Sequence, residues 1–149
     1  IYCHIAHDCQ VGNNVIMANN ATLAGHVHIG SFTVIGGMTP IHQFVHIGEG
    51  VMIGGASAVS QDIPDFCLAE GNRAVVRGLN SVGLKRRFER EDITAIQSAY
   101  KQLFRSESPI KETAAKLLEN ETNEKVLQMC NFIMESTRGI PYERKNNGQ

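Results

Sequence analysis

Stepping along the chain in sixes from Ile5 meets Ile5, Val11, Met17, Leu23, Ile29, Ile35, Ile41, Ile47, Ile53 and Val59, an aliphatic residue at every station. With 42% hydrophobic residues, a fixed frame does this by chance on the order of once in several thousand trials, so the repeat is real. The next residue is Gly, Ala or Ser in nine of the ten hexads, and the fifth position is small or aliphatic from Cys9 to Ile63. Six matches neither the 3.6 period of a helix nor the alternation of a flat strand. It suits a short strand plus a corner. Three such units close a triangular coil of eighteen residues, which stacks on the next at about 4.8 Å. The expected fold is mainly β with α: a parallel β-helix of hexapeptide repeats followed by a small C-terminal helical domain.

The pattern is already running at Ile1, which reads as the C-terminal part of a longer protein, with residues 1–64 forming its last coils. "QDIPDF" is expected to end the register, because Pro64 has no ladder donor. Residues 65–88 read as a connecting loop with a basic segment, 89–139 as helices and 140–149 as a flexible tail. One helix face carries Ile93, Ile96, Tyr100, Leu103 and Phe104. Ser108 and Pro109 read as the cap and first-turn residues of a second helix burying Ile110, Ala114, Leu117 and Leu118. A third runs from Glu124 to Ser136 with Val126, Leu127, Cys130, Ile133 and Met134 inward, and Gly139 marks a stop. Cys3 and Cys9 take fifth positions and are expected in the core. With Cys67 and Cys130 they show no close metal-ligand or redox spacing, which suits reduced thiols in a cytosol. No stretch is long and apolar enough to span a bilayer.

Charge divides the chain. Residues 1–72 contain no Lys or Arg, all fourteen basic residues lie from Arg73 onward, and all six histidines lie between His4 and His46. An eighteen-residue coil turns sequence into columns: His7 over Gly25 over Gln43, and Asp8 over His26 over Phe44. His7, Asp8, Gly25, His26, His42 and Gln43 then share one side within two coil steps, about 10 Å. In "HIAHD", His7 can serve as a general base with Asp8 holding its other nitrogen, and the Gly25 N–H can face an oxyanion. That arrangement suits direct acyl transfer from a thioester. The same letters also suit a zinc site using His4 and His7, or ordinary surface residues. His28 and His46, eighteen apart, are expected to stack outside. Asn19, Gly37 and Gly55 form a column on another side, explicable by corner geometry.

Arg73, Arg77, Lys85, Arg86, Arg87 and Arg90 crowd into eighteen residues. They suit a solvated face, a phosphate clamp or a surface for an acidic protein. Without interleaved aromatics they give little reason to expect nucleic acid.

"HIAHDC", "ANNATLAGHV", "IGGMTPIHQF" and "GLKRR", in this order and followed by helices ending near "STRG", resemble the UDP-N-acetylglucosamine acyltransferases of lipid A biosynthesis from His4 to Gly139. The resemblance supplies the left hand of the β-helix, which opposes the usual crossover rule. It implies a bacterial, cytoplasmic homotrimer with sites between neighbouring β-helices. His7 would be the base, Asp8 its orienting partner and the Gly25 amide the oxyanion donor. His4, His26, His42 and Gln43 match substrate contacts, Asn80, Arg86 and Arg87 the nucleotide-phosphate side, and Gly55 the acyl-chain ruler. No metal or resident cofactor is implied. The donor is a 3-hydroxyacyl group on the phosphopantetheine of acyl carrier protein, and the acceptor a UDP-sugar with a 3-hydroxyl or 3-amino group. Val82 and Phe88 depart from the pattern, where an acidic residue and a glycine are expected. Two alternatives stand beside this reading: a zinc enzyme of the γ-carbonic anhydrase type and a non-catalytic oligomerisation scaffold.

Overall fold

The computed structural model describes residues 2–143. Its first nine strands are each two residues long and wind around a triangular prism. One face stacks β1 (His4–Ile5), β4 (Thr22–Leu23) and β7 (Pro40–Ile41); the second stacks β2 (Gln10–Val11), β5 (His28–Ile29) and β8 (His46–Ile47). The third holds β3 (Ile16–Met17), β6 (Val34–Ile35) and β9 (Met52–Ile53) and is extended by β10 (Cys67–Glu70) and β11 (Val75–Leu79). Pairing is parallel and runs from i to i+18, as in His4↔Thr22, His28↔His46 and Val34↔Met52. The coil length read from the hexads is thus the register of the backbone ladder.

The first hexad position fills the prism: Leu23, Ile35, Ile41, Ile47 and Ile53 are buried. Thr33 and Thr39 are buried among them, and their hydroxyls donate to the Gly48 and Gly54 carbonyls, so neither hydroxyl is stranded. Gly30 is required by the stack, since a Cβ there would lie 2.5 Å from the Gly48 carbonyl carbon. Cys3 is exposed and Cys9 half-buried, against the expectation of core. Both belong to the first coil of the stack, where Ile5 is 51% exposed, and their thiols donate to the Ala18 and Ala24 carbonyls.

The ladder continues past Pro64. Ile63 pairs with Ile47 and Leu68 with Met52, sixteen residues apart, so the last coil is two residues shorter and the prism continues into β10. Pro64 is accommodated because the neighbouring bonds run from the Ile63 and Phe66 N–H groups to the His46 and Glu49 carbonyls. Where a plain loop was expected there is a hairpin, β10 against antiparallel β11, and then the short helix α1 (Ser81–Arg87).

α2 (Arg90–Phe104), α3 (Ile110–Asn120) and α4 (Glu124–Glu135) complete the described fold. Pro109, not Ser108, is the α3 N-cap and makes no side-chain cap bond. α4 buries Met129 with Val126, Cys130 and Ile133, leaving Leu127 partly covered and Met134 38% exposed; its inward stripe is centred one position away from the expected one. Chain beyond α4 is tied to the prism. The buried Asp62 accepts from the His46 N–H at 2.8 Å, the Ser136 hydroxyl at 2.6 Å and the Arg138 N–H at 3.4 Å. Part of the expected loose tail is held: Val76 donates to the Pro141 carbonyl at 2.7 Å and Arg77 pairs with Glu143 at 3.0 Å. The rest, 144–149, lies outside the described residues.

Asp65, 4% exposed beneath Gly48, accepts from the Glu49 N–H at 2.6 Å. Burial pushes its carboxyl up from 3.8 to about 6, against that hydrogen bond. The folded state therefore holds this proton more tightly than the unfolded chain. Its contribution is fully present below about pH 4 and is lost as pH rises through about 6. Asp65→Asn is expected to match the parent near pH 4 and to exceed it at pH 8 by on the order of 3 kcal/mol, measured by urea denaturation across that range.

Candidate active site

The hexad corner between the first two faces falls at residues 7–8, 25–26 and 43–44, one pair per coil. The second residue of each pair lies in the left-handed region: Asp8 at φ 59°, His26 at 59° and Phe44 at 66°. For a residue with a Cβ this costs about 1–2 kcal/mol. His26 and Phe44 stack at 4.8 Å between centroids, 10° from parallel, a contact of comparable size and opposite sign. The same left-handed geometry directs these side chains outward into one column.

His7 Nδ1 lies 3.1 Å from Asp8 Oδ2, and His26 Nε2 lies 3.8 Å from the same oxygen. The His7 and His26 rings meet edge to face at 5.1 Å. The His7 hydrogen bond, with the His26 ring behind it, holds the exposed Asp8 carboxyl below its ordinary range. Ionised Asp8 is an acceptor only, so it favours the His7 tautomer with its proton on Nδ1 and Nε2 bare. Directly below the ring is Gly25. A Cβ there would stand 3.0 Å from His7 Cε1, 3.1 Å from His7 Nε2 and 3.6 Å from Gln43 Nε2. Absence of that atom lets the imidazole lie against the next coil's peptide.

His7, Asp8, Gly25, His26 and Gln43 are thus brought together. Beside this cluster, His4 and His42 line a groove of about 560 Å³ on the first face together with Ala6, Ala24, Gln43, Phe44 and Arg138. His42 takes the hexad position that is Gly, Ala or Ser in the other nine, which identifies it as an exception to the packing rule. The metal-ligand geometry is His7, Asp8 and His26, whose ligand atoms lie within 4.8 Å of one another, and not His4 with His7. His28 and His46 stack outside on the second face at 4.4 Å, and burial with the neighbouring His46 pulls the His28 pKa down.

The remaining candidates lie on other corners. Asn80 is buried as the α1 N-cap, accepting from the Gly83 N–H and donating to the Gly50 carbonyl at 3.0 Å. Arg87 pairs with Glu49 at 2.9 Å and lies 3.7 Å over the Phe32 ring, while Arg86 is exposed beside it on α1. Phe88, at the glycine departure, packs edge to face on Phe66. Gly55 sits on the third corner, where a methyl would meet only Gly37 at 3.6 Å, an ordinary contact. Arg138 was not singled out as a site residue. Nothing periodic marks it, and it reaches the groove only because the chain after α4 returns to Asp62.

A parallel β-helix with a His–Asp pair seated over a bare glycine peptide defines the hexapeptide-repeat class of protein. Comparison with known proteins narrows the class. The family model described as "Udp N-acetylglucosamine O-acyltransferase; Domain 2" matches residues 62–141, and the chain belongs to that family. Proteins of Aliarcobacter butzleri and Nautilia profundicola, both named acyl-[acyl-carrier-protein]–UDP-N-acetylglucosamine O-acyltransferase, are 59% and 61% identical over 145 residues, 97% of this chain and 56% of theirs. The solved UDP-N-acetylglucosamine acyltransferase of Campylobacter jejuni superposes with TM-score 0.93 at 62% identity, covering 96% of this chain and 56% of that one. The Arabidopsis enzyme gives 0.86 at 38% identity, covering 93% and 52%. The chain spans about half the length of the relatives it matches. Each is named for acyl transfer, and none supports the zinc-enzyme alternative.

Replacing His7 by Ala is expected to move the Asp8 midpoint upward, toward its ordinary 3.8, because the His7 hydrogen bond is the largest cause of the depression. Carboxyl ¹³C shifts followed through an acid titration measure this.

Proposed function

We propose that the protein to which this chain belongs transfers a 3-hydroxyacyl group from acyl carrier protein to the 3-hydroxyl of UDP-N-acetylglucosamine, the first step of lipid A biosynthesis, in the bacterial cytoplasm. The observation that carries the reading is the His7 imidazole, oriented by Asp8 and resting on Gly25. His7 Nε2 takes the proton of the sugar hydroxyl as its oxygen attacks the thioester carbon. The negative charge that develops on the carbonyl oxygen faces the Gly25 N–H. Collapse of the tetrahedral intermediate forms the ester and expels the phosphopantetheine thiolate, which recovers the proton from His7. His4, His26, His42 and Gln43 bind substrate, and no resident cofactor takes part. The "O-acyltransferase" in the relatives' names favours an ester over the amide that a 3-amino sugar would give.

The placement of the site groups on different corners supports the homotrimer that the family resemblance implies. The base lies on the first corner, the Asn80, Arg86 and Arg87 group beside the second and the Gly55 ruler on the third, so no single prism can offer all three to one substrate. Prisms packed side by side can. Arg86 and Arg87 then serve the nucleotide phosphates of a neighbour's site.

His7→Ala in the full-length protein is expected to reduce kcat by about 10²–10⁴; near-normal turnover removes it from the role of base. Gly25→Ala, which displaces the ring, should lower kcat by at least tenfold in the same assay. Gly55→Met is expected to leave the thermal midpoint unchanged and shift preference to shorter acyl donors, read by mass spectrometry of products. Unaltered chain length in that product rejects Gly55 as the ruler.

A further inference from the structure

Arg138 is the one permanent cation lining the first-face groove among the described residues. Residues 2–72 contain no Lys or Arg, so these coils supply none. The position is firmly built. Asp62 accepts from the Arg138 N–H, Gln61 donates to the Arg138 carbonyl at 3.1 Å, and the Asp62 N–H donates to the Gly139 carbonyl at 3.0 Å. The guanidinium donates from Nε to the Ser60 carbonyl at 3.2 Å. No carboxylate among the described residues pairs with it, whereas Arg77 and Arg87 are each paired. Both Nη groups remain for an anion, and a guanidinium fork fits phosphate oxygens two at a time.

Resting on the acyl-transfer reading, we propose that Arg138 anchors the phosphate of the phosphopantetheine arm that delivers the acyl group. Distance selects between the two phosphate sources. Ser60 lies one coil below His42, and His42 two coils below Ala6, beside His7; three steps of ~4.8 Å make about 14 Å. From the thioester sulfur to its phosphorus, phosphopantetheine has about 13 bonds, ~15 Å at the ~1.2 Å per bond of an extended chain. The sugar 3-oxygen is about five bonds, at most ~6 Å, from the nearest phosphorus. A carrier arm spans the groove from Ala6, the neighbour of His7, to Arg138; a nucleotide diphosphate falls short.

Calorimetry on the full-length protein, with free 4′-phosphopantetheine and with pantetheine and no acceptor present, tests this without turnover. Wild type is expected to bind the phosphorylated arm at least tenfold more tightly, Arg138→Ala to erase the difference, and Arg138→Lys to restore part of it. Because the ties to Asp62 and Gln61 run through the main chain, the thermal midpoint should hold in both variants. Kinetics give the second arm: Arg138→Ala should raise KM for the acyl carrier about tenfold and KM for the UDP-sugar less than twofold. Equal binding of the two arms by wild type, a preference that survives Arg138→Ala, or a KM effect on the UDP-sugar instead would each overturn the assignment. Failure of the acyl-transfer reading shows separately, as wild-type protein that binds the arm and turns nothing over.

Discussion

The structure depends on one constraint, the parallel backbone ladder between residues i and i+18. Because each coil hydrogen-bonds the next in fixed register, an aliphatic at one hexad position meets an aliphatic at the same position above and below, as Leu23 meets Ile41. Core and corner are therefore decided together. The ladder also converts sequence separation into vertical distance, and this seats His7 over Gly25 and stacks His26 on Phe44. A one-residue slip would exchange the faces and take the site apart with the core.

Chemistry is then divided among corners of a rigid prism. The histidine corner has imidazoles, one ionised carboxylate and a bare peptide, but no permanent cation. Arginines arrive from outside the repeat: Arg87 on α1, settled on Phe32 and Glu49, and Arg138 on the returning chain. A buried carboxylate makes that return possible. Asp62 has acceptor capacity for several donors, and bonding to His46, Ser136 and Arg138 joins the last coil to the chain beyond α4. The helices contribute to the groove through this joint.

The β-helix and its histidine corner were legible because both obey an integer period, and eighteen places His7, Gly25 and Gln43 without knowledge of any contact. What failed to follow had no period. The β10–β11 hairpin and α1 lay in a stretch read as loop, since Arg77 and the Lys85–Arg87 run carry charge but no repeating apolar face. Cys3 and Cys9 occupy core positions by pattern, yet among the described residues a layer packs on only one side of them. Met134 gave way to Met129 because the inward stripe of a short helix turns on which neighbour it packs against, here α3 and α2.

The sequence by itself determined the coil, its contents and the column that brings an imidazole, a carboxylate and a glycine together, because local steric repetition leaves a hexad chain no other economical packing. Only the tertiary structure decided that Asn80 is consumed as a helix cap, that Arg87 is paired and stacked away from the histidines, and that Arg138 lies in their groove. Those outcomes rest on contacts between segments 30 to 78 residues apart, such as Asn80 with Gly50 and Arg138 with Ser60, and closure over such separations leaves no local mark in the chain.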